Sequence, residues 1–164
     1  MASRRAILTA TSLAIASIFA AKSPCLVWNV TASAPVGLYA VSPAEPLRIG
    51  ELVLAEPPAS ARQLAANRGY LPEHVPLVKR IAALERDRIC SIGNRILIDD
   101  RAVAIRLAFD THHRPLPAWY GCRALGRGEV FLLMADVPDS FDGRYFGPVE
   151  RSAILGKLRL LWRP

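Results

Sequence analysis

The sequence has 164 residues, of which 52% are hydrophobic, and this length fits one domain with its own core and excludes two full-sized domains. Its net charge is +7 at pH 7, but the arginines are spread along the chain without a clustered basic run, so we expect no nucleic-acid partner. The three cysteines form no Cys-x-x-Cys pair and no Cys/His spacing typical of zinc, so we expect neither a metal site nor a cofactor.

The N-terminal segment, residues 1–28, has the pattern of a membrane anchor or an export signal. Two arginines precede an uncharged, mostly apolar run at residues 6–21, which Lys22 ends. This order places the N-terminus in the cytoplasm and the following chain across the membrane. The run is shorter than the ~20 residues that span a bilayer comfortably and slightly longer than the ~7 to 15 of a signal-peptide core, so both interpretations stay open. A buried helix of a cytosolic domain is the alternative.

We expect an uncleaved anchor in the bacterial inner membrane, followed by a periplasmic domain at residues 29–164. Within this domain, short apolar stretches alternate with turn signals, a pattern typical of a mainly β fold with one short helix, here at residues 61–66. Gly93-Asn94 and Asp99-Asp100 are tight-turn signals, and residues 114–128 are predicted to form a loop. The predicted strands are 37–41, 50–55, 77–82, 88–92, 95–98, 102–105, 130–134 and 154–161.

Ser33 is the candidate nucleophile. It lies between Thr31 and Pro35, where an irregular, proline-stiffened backbone can expose a hydroxyl, and Gly37 then lets the chain turn into a strand. A serine hydroxyl attacks a carbonyl only if a base takes its proton. The oxyanion that then develops needs hydrogen-bond donors, and we expect these to be the Ser33 N–H and the Thr31 hydroxyl.

Lys79 is the candidate base. Only three of the 21 basic residues are lysines, and the arginines cannot lose a proton at working pH. In the strand predicted around Lys79, a period of two places its side chain on the face of Leu77 and Ile81, while Arg80 points to water beside Val78. An apolar environment lowers the pKa of a lysine from about 10.4, which a lysine base requires.

The histidines offer a weaker alternative site. A Ser/His/Asp arrangement would use His74, His112 or His113, but no Gly-x-Ser-x-Gly motif supports it. The adjacent pair, His112-His113, fits a solvated loop better.

Two of the cysteines are candidates for a disulfide. In an oxidising periplasm, Cys90 and Cys122 could close one bond that is worth roughly 3 to 4 kcal/mol, leaving Cys25 unpaired. Two buried free thiols are the alternative.

Three motifs in order resemble those of the type I signal peptidases. They are TASAPVGLY at residues 31–39, LVKRI at residues 77–81 and FLLMADVPDSFDGRYFGPV at residues 131–149. The Ser-x-Pro-x-Gly-Leu-Tyr form of the first motif is most similar to the TraF conjugative-transfer branch, which matures pilin subunits. Residues 83–87 and 135–137 depart from the family pattern, which favours a dedicated substrate over general preprotein processing.

The resemblance implies a signal-peptidase-like β fold and assigns roles to particular residues. The implied roles are Ser33 as nucleophile, Lys79 as general base, Thr31 as oxyanion donor, Ser140 as a hydrogen-bond partner that orients the lysine, and Asp142 with Arg144 as a structural ion pair behind the site. A plain turn with exposed charges would explain Asp142 and Arg144 equally well without the family.

We therefore predict a membrane-anchored, periplasm-facing serine endopeptidase that cleaves an exported precursor after small residues. Its expected partners are a pilin-like precursor, membrane lipid and a conjugation or type IV secretion apparatus. Release of the acyl-enzyme by water or by the substrate's own amine stays open. The alternatives are a non-catalytic anchored assembly module and a general type I signal peptidase; a self-cleaving repressor would need a DNA-binding segment where this chain has an apolar one.

Overall fold

The computed structural model describes residues 26–164, so the predicted membrane segment lies outside the described residues except for its last three positions. The described chain is mainly β, as predicted. No helix within it is long and apolar enough to cross a membrane.

The strands are β1 (Leu26–Asn29), β2 (Gly37–Ser42), β3 (Leu52–Ala55), β4 (Leu77–Ala83), β5 (Arg88–Ile92), β6 (Arg95–Ile98), β7 (Arg101–Ile105), β8 (Gly121–Ala124), β9 (Glu129–Leu132), β10 (Val149–Glu150) and β11 (Ile154–Trp162). The helices are α1 (Ala59–Asn67), α2 (Gly143–Phe146) and a 3₁₀ turn at Arg151–Ala153.

Two antiparallel sheets build the domain. The larger has seven strands in the order β1-β2-β11-β3-β4-β9-β10, and the smaller has four in the order β7-β6-β5-β8. Strand β4 is internal to the larger sheet, with Val53 of β3 opposite Lys79 and Leu132 of β9 opposite Ile81. The sheet therefore holds the segment that carries Lys79 on both sides.

Three clusters of buried apolar side chains form the core. The first lies under β3, β4 and β9 and includes Val53 and Ile81. The second includes Tyr39 and Val78. The third joins the two sheets through side chains such as Ile89. Because Val78 and Ile81 belong to different clusters, both faces of β4 are covered near Lys79.

Eight predicted strands are present, and the bounds of β5 and β6 are those predicted. The two predicted turns are confirmed: Gly93 has φ of 59°, and Asp99 and Asp100 have φ of 47° and 64°, the left-handed values that tight hairpin turns require. The predicted helix is confirmed and runs from residue 59 to 67. Three short strands, β1, β8 and β10, were not predicted.

The loop predicted at residues 114–128 is wrong where β8 lies. All four residues of β8 are exposed, so no alternation of apolar and polar side chains marks the strand. What defines it is its pairing with β5, in which Cys122 stands opposite Cys90. The predicted disulfide joins these two residues.

We expect this disulfide to hold β8 in place. Replacing both residues, as Cys90→Ala with Cys122→Ser, should lower the free energy of unfolding by about 3 to 4 kcal/mol, because the bond closes a long loop in the unfolded chain. Denaturant unfolding measures the loss, and amide hydrogen exchange at residues 121–124 should accelerate first. An unchanged unfolding midpoint together with unchanged exchange in β8 would contradict this role.

Candidate active site

The structure brings Ser33 and Lys79 together. Ser33 lies on the loop between β1 and β2, and the Lys79 ammonium nitrogen Nζ is 2.9 Å from the Ser33 Oγ. Their separation of 46 positions means that the contact depends on the fold and not on local sequence. The geometry is that of a hydroxyl and an amine that can exchange one proton directly.

The Lys79 side chain is buried, with only 3% of the residue exposed. Burial lowers the pKa of Lys79 from its ordinary value of 10.5 to about 8. The Asp142 carboxylate opposes this change, and the Arg144 guanidinium adds to it. The neutral form of Lys79, which a base requires, is therefore accessible near neutral pH.

The expected burial of Lys79 and exposure of Arg80 on β4 are confirmed. Arg80 is exposed as predicted, and Leu77 and Ile81 are buried on either side of Lys79. Val78, on the same face as Arg80, is also buried, because Ala34 of the nucleophile's loop and Met134 pack into the cluster that contains it.

A residue that the sequence analysis missed, Asn29, organises the loop that carries Ser33. Its side-chain Nδ2 donates to the carbonyl oxygens of Thr31, Ala34 and Pro35 at 3.0, 3.1 and 3.1 Å. Its Oδ1 accepts from the Thr31 N–H at 3.1 Å and from the Thr31 hydroxyl at 2.8 Å. The signal available in the sequence was a lone amide between apolar residues at the end of a short apolar stretch.

The loop ends at Gly37, where β2 begins. Gly37 has φ of +151°, and a Cβ there would lie 2.2 Å from the carbonyl oxygen of Trp162 on β11. No side chain fits this position, so the expectation that Gly37 lets the chain enter the strand is supported by a close approach of two backbones.

Thr31 lies beside the nucleophile, with its Oγ1 3.3 Å from the Ser33 Oγ. Its hydroxyl proton, however, points to Asn29, because the Asn29 Oδ1 can only accept. The expected donation from Thr31 to an oxyanion is therefore not the arrangement in this structure. The Ser33 N–H makes no hydrogen bond with any residue of the described chain, and it remains the oxyanion donor that fits the expectation.

Ser140 lies near Lys79 but does not hydrogen-bond to it. Both line the same cavity, and Ser140 is buried, yet its hydroxyl has no partner among residues 26–164. The hydrogen bond of the Lys79 Nζ goes to Ser33 instead. The predicted orienting bond from Ser140 is thus wrong for this structure.

Asp142 and Arg144 form the predicted ion pair, 2.8 Å from Oδ1 to Nε, and both side chains are fully buried. Arg144 also donates to carbonyl oxygens of Met134 and Val137, and the Asp142 carboxylate accepts from the Met134 N–H. The alternative of an exposed turn is excluded by this burial. The pair fixes the segment that carries Ser140 and sets the charge around Lys79.

An open cavity of about 420 Å³ lies in front of Ser33 and Lys79. Most of its lining is apolar, and its walls come from β1, β4, the segment before β4 and the loop between β7 and β8. Representative lining residues are Val30, Leu54, Leu71, Leu107 and Phe141. Such a cleft can hold an extended, mainly apolar peptide next to the nucleophile.

One buried carboxylate shapes the cavity wall. Asp110 accepts hydrogen bonds from the Tyr70 hydroxyl and from the Arg114 Nε, the latter at 2.7 Å. Burial alone would raise the pKa of Asp110, but these hydrogen bonds hold it well below its usual range. The carboxylate therefore stays charged and ties this loop to the segment before β4.

The three histidines are exposed, and none of them lines the cavity. The Ser/His/Asp alternative therefore has no geometric support. Within residues 26–164, no group of His, Cys, Asp and Glu side chains is arranged to hold a metal ion.

Comparison with known proteins identifies the family. Residues 2–163 match the family described as "Signal peptidase, peptidase S26". A plasmid transfer protein TraF of Escherichia coli is 37% identical over 147 residues, covering 82% of each chain. A conjugal transfer protein TraF of Agrobacterium fabrum is 36% identical over 141 residues, covering 80% of this chain and 78% of that one.

A crystal structure of a signal peptidase I from Enterococcus faecalis V583 is also similar. It has a TM-score of 0.42 and 17% identity, and the likeness covers 72% of this chain and all of that one. A likeness this low carries no argument, and the family assignment rests on the sequence matches. The chain belongs to the peptidase S26 signal peptidase family, and within it to the group of the TraF transfer proteins.

Proposed function

We propose that this chain is a serine endopeptidase in which Ser33 is the nucleophile and Lys79 the general base. The observation that carries the proposal is the 2.9 Å contact between the Ser33 hydroxyl and the amine of Lys79, which is buried. Burial of a lysine costs free energy, and a buried lysine with a lowered pKa beside a cavity is typical of a functional site. A non-catalytic assembly module would gain nothing from such a lysine.

The reaction begins when neutral Lys79 takes the proton of Ser33. The Oγ forms a bond to the substrate carbonyl carbon, and the carbonyl electrons move to the oxygen, where the Ser33 N–H donates to it. The Lys79 ammonium returns the proton to the departing amine, the peptide bond breaks, and an acyl-enzyme remains. Water or the substrate's own amine then attacks, and Lys79 takes the incoming proton. The ester bond to Ser33 breaks, Lys79 returns that proton to the Ser33 Oγ, and the free enzyme is restored.

The proposed substrate is an exported precursor of a conjugation or type IV secretion apparatus, cleaved after a small residue and resembling a pilin. The apolar cavity supports an extended peptide as substrate. The names of the relatives, plasmid transfer and conjugal transfer proteins, support conjugation as the setting. A general signal peptidase is the second candidate, and substrate range separates the two.

We place the domain on the periplasmic side of the inner membrane. The disulfide between Cys90 and Cys122 supports an oxidising compartment. At the start of β1, Leu26 and Trp28 are exposed, and the Trp28 ring lies 5.6 Å from that of Trp162, which is also exposed. This apolar surface next to the N-terminal segment supports contact with lipid.

The proposal is tested with the full chain in membranes, mixed with a panel of exported precursors that includes a pilin-type one. Wild type should cleave at least one precursor, and Ser33→Ala should cleave none. Ser152→Ala, a change at an exposed serine, is the matched control and should cleave like wild type. Mass spectrometry distinguishes a linear product from a cyclic one, which is lighter by one water. Cleavage by Ser33→Ala would overturn the assignment and favour the assembly module.

A further inference from the structure

Asn29 is buried beneath the loop that carries Ser33, and its side chain hydrogen-bonds to Thr31, Ala34 and Pro35 and not to Ser33 or Lys79. We propose that Asn29 is a positioning residue that sets the direction of the Thr31 hydroxyl and thereby keeps the Ser33 oxygen free to attack. The inference rests on the proposed function, because it concerns the reactivity of Ser33.

The orientation of the Asn29 carboxamide follows from its surroundings. One end faces three backbone carbonyl oxygens, and the other faces the Thr31 N–H. Carbonyl oxygens only accept and an N–H only donates, so the nitrogen must face the first set and the oxygen the second. The reverse orientation would break every one of these bonds.

This orientation decides the direction of the next hydrogen bond. The Thr31 hydroxyl lies 2.8 Å from the Asn29 Oδ1, which can only accept. The single hydroxyl proton of Thr31 is therefore donated to Asn29. Towards Ser33, at 3.3 Å, the Thr31 oxygen can then act only as an acceptor. Thr31 therefore does not donate to the oxygen that must attack.

Two acceptors compete for the Ser33 proton in consequence. Neutral Lys79 is closer, with its Nζ 2.9 Å from the Ser33 Oγ, than the Thr31 oxygen at 3.3 Å. Without Asn29, the Thr31 hydroxyl is free to turn and donate to Ser33. Such a bond would occupy a lone pair of the nucleophile and lower its reactivity.

Asn29 also holds the loop on both sides of Ser33, through Thr31 before it and through Ala34 and Pro35 after it. The Tyr39 hydroxyl makes a second bond to the Pro35 carbonyl, at 2.7 Å. A purely structural role would consist of this anchoring alone. The test must therefore separate anchoring from control of the Thr31 proton.

The experiment measures acylation of Ser33 in the full chain by a p-nitrophenyl ester of a short aliphatic acid, with the acyl group located by mass spectrometry. Asn29→Ala should lower the acylation rate by about tenfold to hundredfold. In a Thr31→Val background, where no hydroxyl can turn to Ser33, the same change should cost less than about threefold. If Asn29 only anchors the loop, Asn29→Ala should lower the acylation rate by the same factor in both backgrounds. That result would overturn the inference.

The pH profile provides a second readout. Asn29→Ala leaves the burial of Lys79 intact, so acylation should still rise through about pH 8. A collapsed loop would expose Lys79 and move the rise towards pH 10, which would also overturn the inference. If Asn29→Ala does not fold, Asn29→Leu, which is similar in size and also lacks an acceptor for Thr31, takes its place in the same cycle. Equal acylation of wild type and Ser33→Ala would instead refute the proposed function itself.

Discussion

Replacing Lys79 by arginine is expected to abolish turnover, with a loss of at least about 10³-fold in kcat/KM. Arginine keeps the positive charge and the ability to donate to Ser33, but it cannot give up a proton and so cannot act as the base. Cleavage of a precursor, or acylation by the ester described above, measures the loss. Activity within tenfold of wild type would show that another group takes the Ser33 proton.

Lys157→Arg is the matched control for this substitution. Lys157 is partly exposed, donates to the Pro46 carbonyl and lies near Glu51, and it has no contact with the cavity. We expect wild-type activity from this variant, because an arginine can make the same contacts. A comparable loss in both variants would point to a general effect on folding.

The pH dependence of the wild type follows from the same residue. The reactive form of Lys79 is the neutral one, so kcat/KM should rise about tenfold per pH unit below its pKa of about 8 and level off above it. A flat profile between pH 6 and 9 would contradict Lys79 as the base.

The free energy of unfolding should also rise with pH. The pKa of Lys79 is about 8 in the folded chain and 10.5 when unfolded, so the unfolded chain binds more protons between these values, and stability rises with pH across that window. Below pH 8 the folded chain bears the full cost of a buried ammonium, about 3 kcal/mol. Lys79→Met should therefore be inactive yet more stable than wild type at pH 7.

Arg144→Leu is expected to destabilise the domain by about 3 to 5 kcal/mol, enough to unfold a marginal domain. The substitution leaves the Asp142 carboxylate buried without its charged partner. It also removes the Arg144 donor from the carbonyl oxygens of Met134 and Val137. Denaturant unfolding measures the loss.

Arg88→Leu is the control that shows why burial matters. Arg88 contacts Asp100 at 2.7 Å, a distance close to that of the buried pair, but both side chains are half exposed or more. Its replacement should cost less than about 1 kcal/mol. Similar losses for Arg88→Leu and Arg144→Leu would contradict the role assigned to the buried pair.

The sequence was most informative at Lys79, where the residue type and the alternation of apolar residues along the strand indicated the same role. The rarity of lysine and the alternation around Lys79 predicted a buried base, and the fold confirms that this residue meets Ser33. The exposed strand β8 escaped prediction because its residues carry no burial pattern, and only the pairing with β5 defines it.

The hydrogen bonds around the nucleophile could not be predicted from the sequence. Asn29 bonds to groups up to six positions away, and which of them it meets depends on the path of the loop. The same path directs the Thr31 proton to Asn29, and the Ser140 hydroxyl has no hydrogen-bond partner within residues 26–164. Residue types alone do not determine these directions, because each of these side chains offers several hydrogen-bonding arrangements.

The position of Ser33, directly after the edge strand β1, limits the reach of the nucleophile. Ser33 lies seven positions after Leu26, and an extended chain of that length spans at most about 25 Å. Any constraint on the position of residue 26 therefore limits how far from that point the Ser33 hydroxyl can lie. Under the proposed function, a scissile bond has to be delivered within that radius of residue 26, so the distance between a precursor's cleavage site and residue 26 would itself be a criterion of substrate choice.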